Sequence, residues 1–164
     1  MDPEAPFDRL ELRELVDAYA RAADRRDRVA FESLFLADAT LTVTRPDADA
    51  HTYEGAAAIG QIVPNLARYT RTFHLVANHW TSVRGSRATG EAYCQAHHVL
   101  GDRRPAVPKQ GGDDPRAPSP VDVVLNIRYL DAYSRSHDGW RFASREVQIL
   151  WTTELPLASG PLPT

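Results

Sequence analysis

The chain has 164 residues, 43% hydrophobic and 25% charged, which suits one soluble domain around one core. A net charge of −3, with scattered arginines and Lys109 as the sole lysine, excludes an electrostatic pull towards nucleic acid. The lone Cys94 excludes an internal disulfide. No run reaches the roughly 20 apolar residues of a membrane span, and the acidic MDPEAPFDRLELREL has no signal-peptide core, so a cytoplasmic protein is expected.

The first predicted element is a helix from Asp8 to Arg26. Leu12, Leu15, Val16, Tyr19, Ala20 and Ala23 recur at spacings of three and four, with Asp8 as expected N-cap and Glu11 in capping-box position. A short helix follows over Arg28–Leu36, then a strand over Ala39–Thr44 ended by Pro46, and a return strand over His51–Glu54. Ala56–Tyr69 reads as helix, with Pro64 as a kink or restart. From Arg71 the pattern turns to long strands. Arg71–Arg84 and Arg87–Leu100 flank Gly85-Ser86, and Val121–Ser136 and Trp140–Thr153 flank a turn ending in Asp138-Gly139. The segment 101–120 between the hairpins is rich in Pro, Gly and charge and reads as a mobile loop or lid, and the tail after Glu154 as poorly ordered. Helices first and antiparallel strands afterwards predict one α+β domain over 1–164, its helices on one face of a curved sheet.

The strand Ala88–Leu100 carries the clearest chemical signal. Strict alternation puts Ala88, Gly90, Ala92, Cys94, Ala96 and His98 on one face. Such a row leaves volume for a pocket, unless bulky neighbours fill it. Cys94 in that row reads as a packed small hydrophobe. On TFHLVANHW, His74 shares a face with Val76, Asn78 and Trp80, and His79, five residues on, points the other way unless a bulge intervenes. Asp24 falls near the edge of the first helix's polar face, and the same wheel puts Asp27 nearer the apolar centre. Arg145 reads either as an anion-binding group or as an outward side chain paired with an acid. There is no GxSxG elbow, phosphate-binding glycine loop or CxxC pair.

The segments YARAADRRDRVAFESLFLADATLTV, TFHLVANHW, ATGEAYCQAHHV and DGWRFASREV, in that order, resemble the SnoaL-like branch of the nuclear-transport-factor-2-like superfamily. That group includes scytalone dehydratase, bile-acid 7α-dehydratase and hexachlorocyclohexane dehydrochlorinase, and the resemblance covers about residues 8–153. It implies a cone-shaped, cystatin-like barrel, with N-terminal helices packed in a strongly curved antiparallel sheet. It also implies elimination or isomerisation chemistry with no cofactor and no metal, and a homo-dimer or homo-trimer. Under the resemblance His74 is the general base, Asp24 its orienting partner and His98 the auxiliary acid. Tyr19, Tyr129, Trp80 and Asn78 are the substrate-binding candidates. The sequence departs from scytalone dehydratase near Arg45, Ile127 and Tyr129, and from bile-acid dehydratase near Ala96.

The expected activity is therefore a dehydratase, lyase or isomerase acting on a small, cyclic or polyketide-like molecule. Three alternatives stay open. One is an epoxide hydrolase or polyketide cyclase relying on Asp131 or Glu146. Another is a two-His-one-carboxylate iron site. The third is a non-catalytic small-ligand module.

Overall fold

A computed structural model of the chain describes residues 5–101 and 120–157. Helix α1 (Ala5–Arg25) leads into α2 (Arg28–Ser33), strands β1 (Phe35–Arg45) and β2 (Ala48–Glu54), and the short helices α3 (Ala56–Ile59) and α4 (Ile62–Asn65). A 3-10 turn at Leu66–Arg68 precedes β3 (Arg71–Arg84), β4 (Arg87–Leu100), β5 (Val121–Ser136) and β6 (Gly139–Pro156). The strands form one open sheet in the order β2-β1-β6-β5-β4-β3. The α+β expectation holds, with one correction: β1 runs parallel to β6, so the sheet is mixed rather than antiparallel.

Local chemistry explains where the elements differ from the predicted ones. Asp8 does not cap α1, which starts three residues earlier. It is buried, accepts from Trp140 Nε1 at 3.2 Å and pairs with Arg135, fastening the start of α1 to the β5–β6 hairpin. Arg26 takes a left-handed backbone conformation (φ 58°) that ends α1, so the helical wheel no longer applies at Asp27. Asp27 instead caps α2, accepting from Ala30 N at 2.9 Å. The helix expected over Ala56–Tyr69 breaks into three pieces. Pro64 sits in the first turn of α4, where its missing N–H costs nothing, and any side chain at Gly60 would run into Glu32 of α2. The β3–β4 hairpin matches the predicted one, with Gly85 at φ 59° in its turn. Beyond Glu154 the strand continues to Pro156, opposite Val121, where a disordered tail was expected. The predicted loop and the end of the chain fall outside the described residues at 102–119 and 158–164.

The inner face of the sheet packs on α1 around Leu12, Val16, Tyr19, Phe31, Phe35, Leu41 and Phe142. The small-residue row of β4 does face inward: Ala88, Gly90, Ala92, Cys94, Ala96 and His98 are all buried. Its partners across the ladder explain it. Ala88, Gly90 and Ala92 lie opposite Tyr133, Asp131 and Tyr129 of β5, so small residues on one strand accommodate large ones on the next. A Cβ on Gly90 would come within 2.9 Å of Tyr133 and 3.2 Å of His79 Nε2. Bulky neighbours thus occupy the space that a pocket would need at this end of the row.

Those neighbours build a polar centre within the core. Arg145 on β6 lies directly opposite Asp131, and both side chains are fully buried. Arg145 Nε donates to Asp131 Oδ1 at 2.8 Å, and Nη2 to Oδ2 at 2.7 Å. Its guanidinium carbon lies 4.2 Å from the ring centres of Tyr19, Tyr129 and Phe142, a cation–π enclosure around a charge that has left water. Arg145 therefore points inward, contrary to the outward alternative. Replacing Asp131 by Asn would leave this guanidinium buried without a counter-charge. Urea unfolding of Asp131→Asn is expected to show a loss of about 3–5 kcal/mol; a loss too small to measure would contradict the burial described.

Candidate active site

The strand order leaves β3 at an edge of the sheet, and an edge strand carries unpaired N–H and C=O groups. Helix α1 packs along β3, and two of its side chains satisfy those groups. Arg13 donates to the carbonyl oxygens of Ala77 at 2.8 Å and Val76 at 3.1 Å. Asp24 accepts from the backbone N–H of His74 at 3.0 Å through Oδ2. This explains the borderline position of Asp24 on the helical wheel, because it faces the rim of the sheet rather than the core or bulk water.

The same carboxylate binds the imidazole. His74 Nδ1 lies 2.7 Å from Asp24 Oδ1, which also accepts from Thr72 Oγ1 at 2.9 Å. Thr72 in turn accepts from Arg26 Nη1, which also donates to Ala23 O at 2.8 Å. Asp24 is in the last turn of α1, where the helix dipole opposes a negative charge. Burial also favours its protonated form. The hydrogen bonds from the His74 ring and backbone, its charge and Thr72 outweigh burial and hold the carboxyl below its ordinary 3.8. An ionised Asp24 only accepts, so Nδ1 of His74 carries a proton, and in the neutral ring Nε2 is the bare nitrogen. The His74 side chain is 8% exposed and that of Asp24 25%. Together with Asp17, Ala20, Arg21 and Val76 they line a groove of about 310 Å³ between α1 and β3.

His98 meets His74 edge-on, with ring centres 5.6 Å apart, and Tyr69 covers it at 4.6 Å. Its Nδ1 lies 3.0 Å from Ala96 O, and a carbonyl only accepts, so a neutral His98 has its proton there. Burial, with a smaller effect of His74, pushes its pKa down to about 4. At neutral pH His98 is therefore uncharged, and its ring is hydrogen-bonded to the backbone of Ala96 and Val123; the auxiliary-acid role expected of it would have to be played by this neutral ring.

The other expected residues go elsewhere. Tyr19 and Tyr129 are buried around Arg145, and burial pushes the Tyr19 phenol up to about 12. Between Val76 and His79 the register shifts, with Ala77 and Asn78 together facing Tyr93 of β4. This bulge leaves Asn78 exposed, turns Trp80 to the outer face at 65% exposure, and brings His79 onto the inner face with His74. Alternation alone gave the opposite assignment. Burial raises the Cys94 thiol to about 11, in keeping with an unreactive packed side chain. Sequence reasoning missed Thr72 and Arg26, neither of which stands in a recognisable motif. Among the described residues no three carboxylate, imidazole or thiolate groups converge to hold a metal.

A helix-capped edge strand carrying an Asp–His pair on an open α+β sheet can be set beside known proteins. The model of the SnoaL-like domain matches residues 7–146. The chain belongs to the SnoaL-like domain family. Several solved structures share the fold of this SnoaL-like chain. A scytalone-dehydratase-like protein from Novosphingobium aromaticivorans has a TM-score of 0.73 at 18% identity, over 96% of this chain and 94% of its own. Hexachlorocyclohexane dehydrochlorinase LinA-type3 from Novosphingobium barchaimii has a TM-score of 0.74 at 17% identity, over 99% and 100%. An NTF2-like protein of cystatin-like fold from Novosphingobium aromaticivorans has a TM-score of 0.61 at 22% identity, over 90% and 84%. No curated protein matches the chain.

The depressed pKa of His98 has a measurable consequence for stability. Unfolding restores an ordinary value of 6.5, so below that pH the unfolded chain binds the proton and the folded chain does not. Stability is fully present above pH 6.5 and is lost as pH falls towards about 4. The loss attributable to His98 is about 3 kcal/mol. Urea titrations across this range are expected to show a shallower decline in His98→Gln, with only the weaker contribution of His79, also depressed by burial, remaining.

Proposed function

We propose that this SnoaL-like chain is a cofactor-independent acid–base enzyme, a dehydratase or isomerase of a small, cyclic or polyketide-like organic molecule. The observation that carries the reading is the 2.7 Å contact between His74 Nδ1 and Asp24, which leaves Nε2 free to take a proton. A carbon acid next to a carbonyl or similar activating group gives its proton to Nε2. Asp24 then faces an imidazolium and stabilises it, as an orienting carboxylate does.

The neutral state of His98 narrows the mechanism. A neutral His98 holds a single ring proton, and that proton faces the carbonyl of Ala96. Protonation of a departing hydroxyl then falls to His74 itself. The proton gained from carbon returns through Nε2 to the leaving oxygen, water departs, and the double bond forms on the face where the proton was lost. This is a syn elimination with one residue as base and then acid. Returning the proton to a different carbon would give isomerisation instead.

The epoxide-hydrolase or cyclase alternative loses its proposed carboxylates. Asp131 has both oxygens on Arg145 and Tyr133, and Glu146 accepts from Gln148 on the outer face. The expected dimer or trimer finds support in Phe73, Leu75 and Trp151, which are at least half exposed on the outer face of the sheet. Sedimentation of Trp151→Glu should then shift towards the monomer.

The test of the activity is a small-molecule screen by native mass spectrometry followed by turnover assays of the ligand found. His74→Ala is expected to lower kcat by about 10²–10⁴-fold, and Asp24→Asn to lower it with little change in KM. Undiminished turnover in either variant would sink the mechanism.

A further inference from the structure

A second recess opens in the α1–β3 groove beyond the bulge. It measures about 270 Å³ and is lined by Arg9 and Arg13 from α1 and by His79, Trp80 and Thr81 from β3. Two guanidinium groups and no carboxylate line it. Arg13 is committed to Asp17 and to the carbonyls of Val76 and Ala77. Arg9 is exposed and has no hydrogen bond or ion pair among the described residues. Trp80, turned to the outer face, borders the recess at the free edge of β3 with an indole ring that is 65% exposed.

His79 is prepared for one kind of contact by a chain of bonds running to the buried ion pair. Asp131, ionised against Arg145, can only accept, so the Tyr133 hydroxyl spends its single proton on Asp131 Oδ2 at 2.7 Å. The Tyr133 oxygen, 3.2 Å from His79 Nε2, is then left to accept. His79 therefore carries its proton on Nε2, and Nδ1 is a bare acceptor with no partner among the described residues. Burial, only partly countered by Asp131, keeps the ring neutral by lowering its pKa below 6.5.

We propose that this recess binds a hydroxylated aromatic carboxylate, with the carboxylate on Arg9, the ring against Trp80 and the hydroxyl donating to Nδ1 of His79. Each part of the ligand answers one feature of the wall: a fork of donors, a flat apolar face and a fixed acceptor. The volume admits a single ring. The proposal does not depend on the reading of His74, because the two histidines line separate recesses of the groove.

The test titrates the full chain with the three isomeric hydroxybenzoates, benzoate and phenol, followed by calorimetry and by the indole N–H resonance of Trp80. At least one hydroxybenzoate is expected to bind saturably and move that resonance, with benzoate and phenol weaker by about tenfold or more. Arg9→Ala, at an exposed side chain that the fold does not need, should weaken binding by about tenfold. His79→Phe should abolish the advantage of hydroxybenzoate over benzoate, and His74→Ala should leave binding unchanged. No movement of the Trp80 resonance, full affinity in Arg9→Ala, or loss of binding in His74→Ala would each overturn the proposal.

Discussion

The free edge of β3 is the constraint around which the rest is arranged. An open sheet must end somewhere, and its last strand presents backbone donors and acceptors that water or another chain would otherwise take. Here α1 closes that edge with Arg13 at one point and Asp24 at another. Because Asp24 also holds the imidazole that follows from the same strand, edge closure and orientation of the candidate base are one arrangement. Both oxygens of the carboxylate are used, one on the backbone N–H and one on the ring and Thr72. A carboxylate at a helix C-terminus is unfavourable by itself, and these three donors are what make it tolerable.

The interior depends on a different compensation. A buried guanidinium is costly unless its charge is met. Arg145 meets it with a two-pronged bond to Asp131 and three aromatic faces, although Nη1 has no partner among the described residues. The glycine and alanines of β4 are what permit this, since large side chains at those positions would collide with Tyr129, Asp131 and Tyr133. The charge pair also reaches outward. Through Tyr133 it dictates which nitrogen of His79 holds the proton, so a group far from solvent sets the hydrogen-bonding character of one near the surface.

Shared architecture with proteins named for dehydration or dehydrochlorination speaks to the fold alone at 17–18% identity. Chemistry has to be read from the site. There the two histidines that meet edge-on differ in kind: the Nδ1 proton of His74 lies on a carboxylate that stabilises added charge, whereas that of His98 lies on a neutral carbonyl in a buried setting that resists it. One is suited to take up a proton and the other to stay neutral.

Much of the architecture was legible in the sequence, because periodicity and turn chemistry are local. The β3–β4 hairpin, the inward face of β4 and the apolar stripe of α1 follow from spacing and Gly85-Ser86 alone. Resemblance added the Asp24–His74 pairing, which spacing mildly disfavoured. What only the tertiary structure decided involves contacts between elements. The bulge at Ala77-Asn78 is held by Arg13, more than sixty residues away, and it reverses the faces of His79 and Trp80. The parallel pairing of β1 with β6 and the inward turn of Arg145 likewise arise from partners distant in the chain, and the burial of His98 beside His74 lowers its pKa. Burial and long-range hydrogen bonds set protonation, and neither is written in a residue's immediate neighbours.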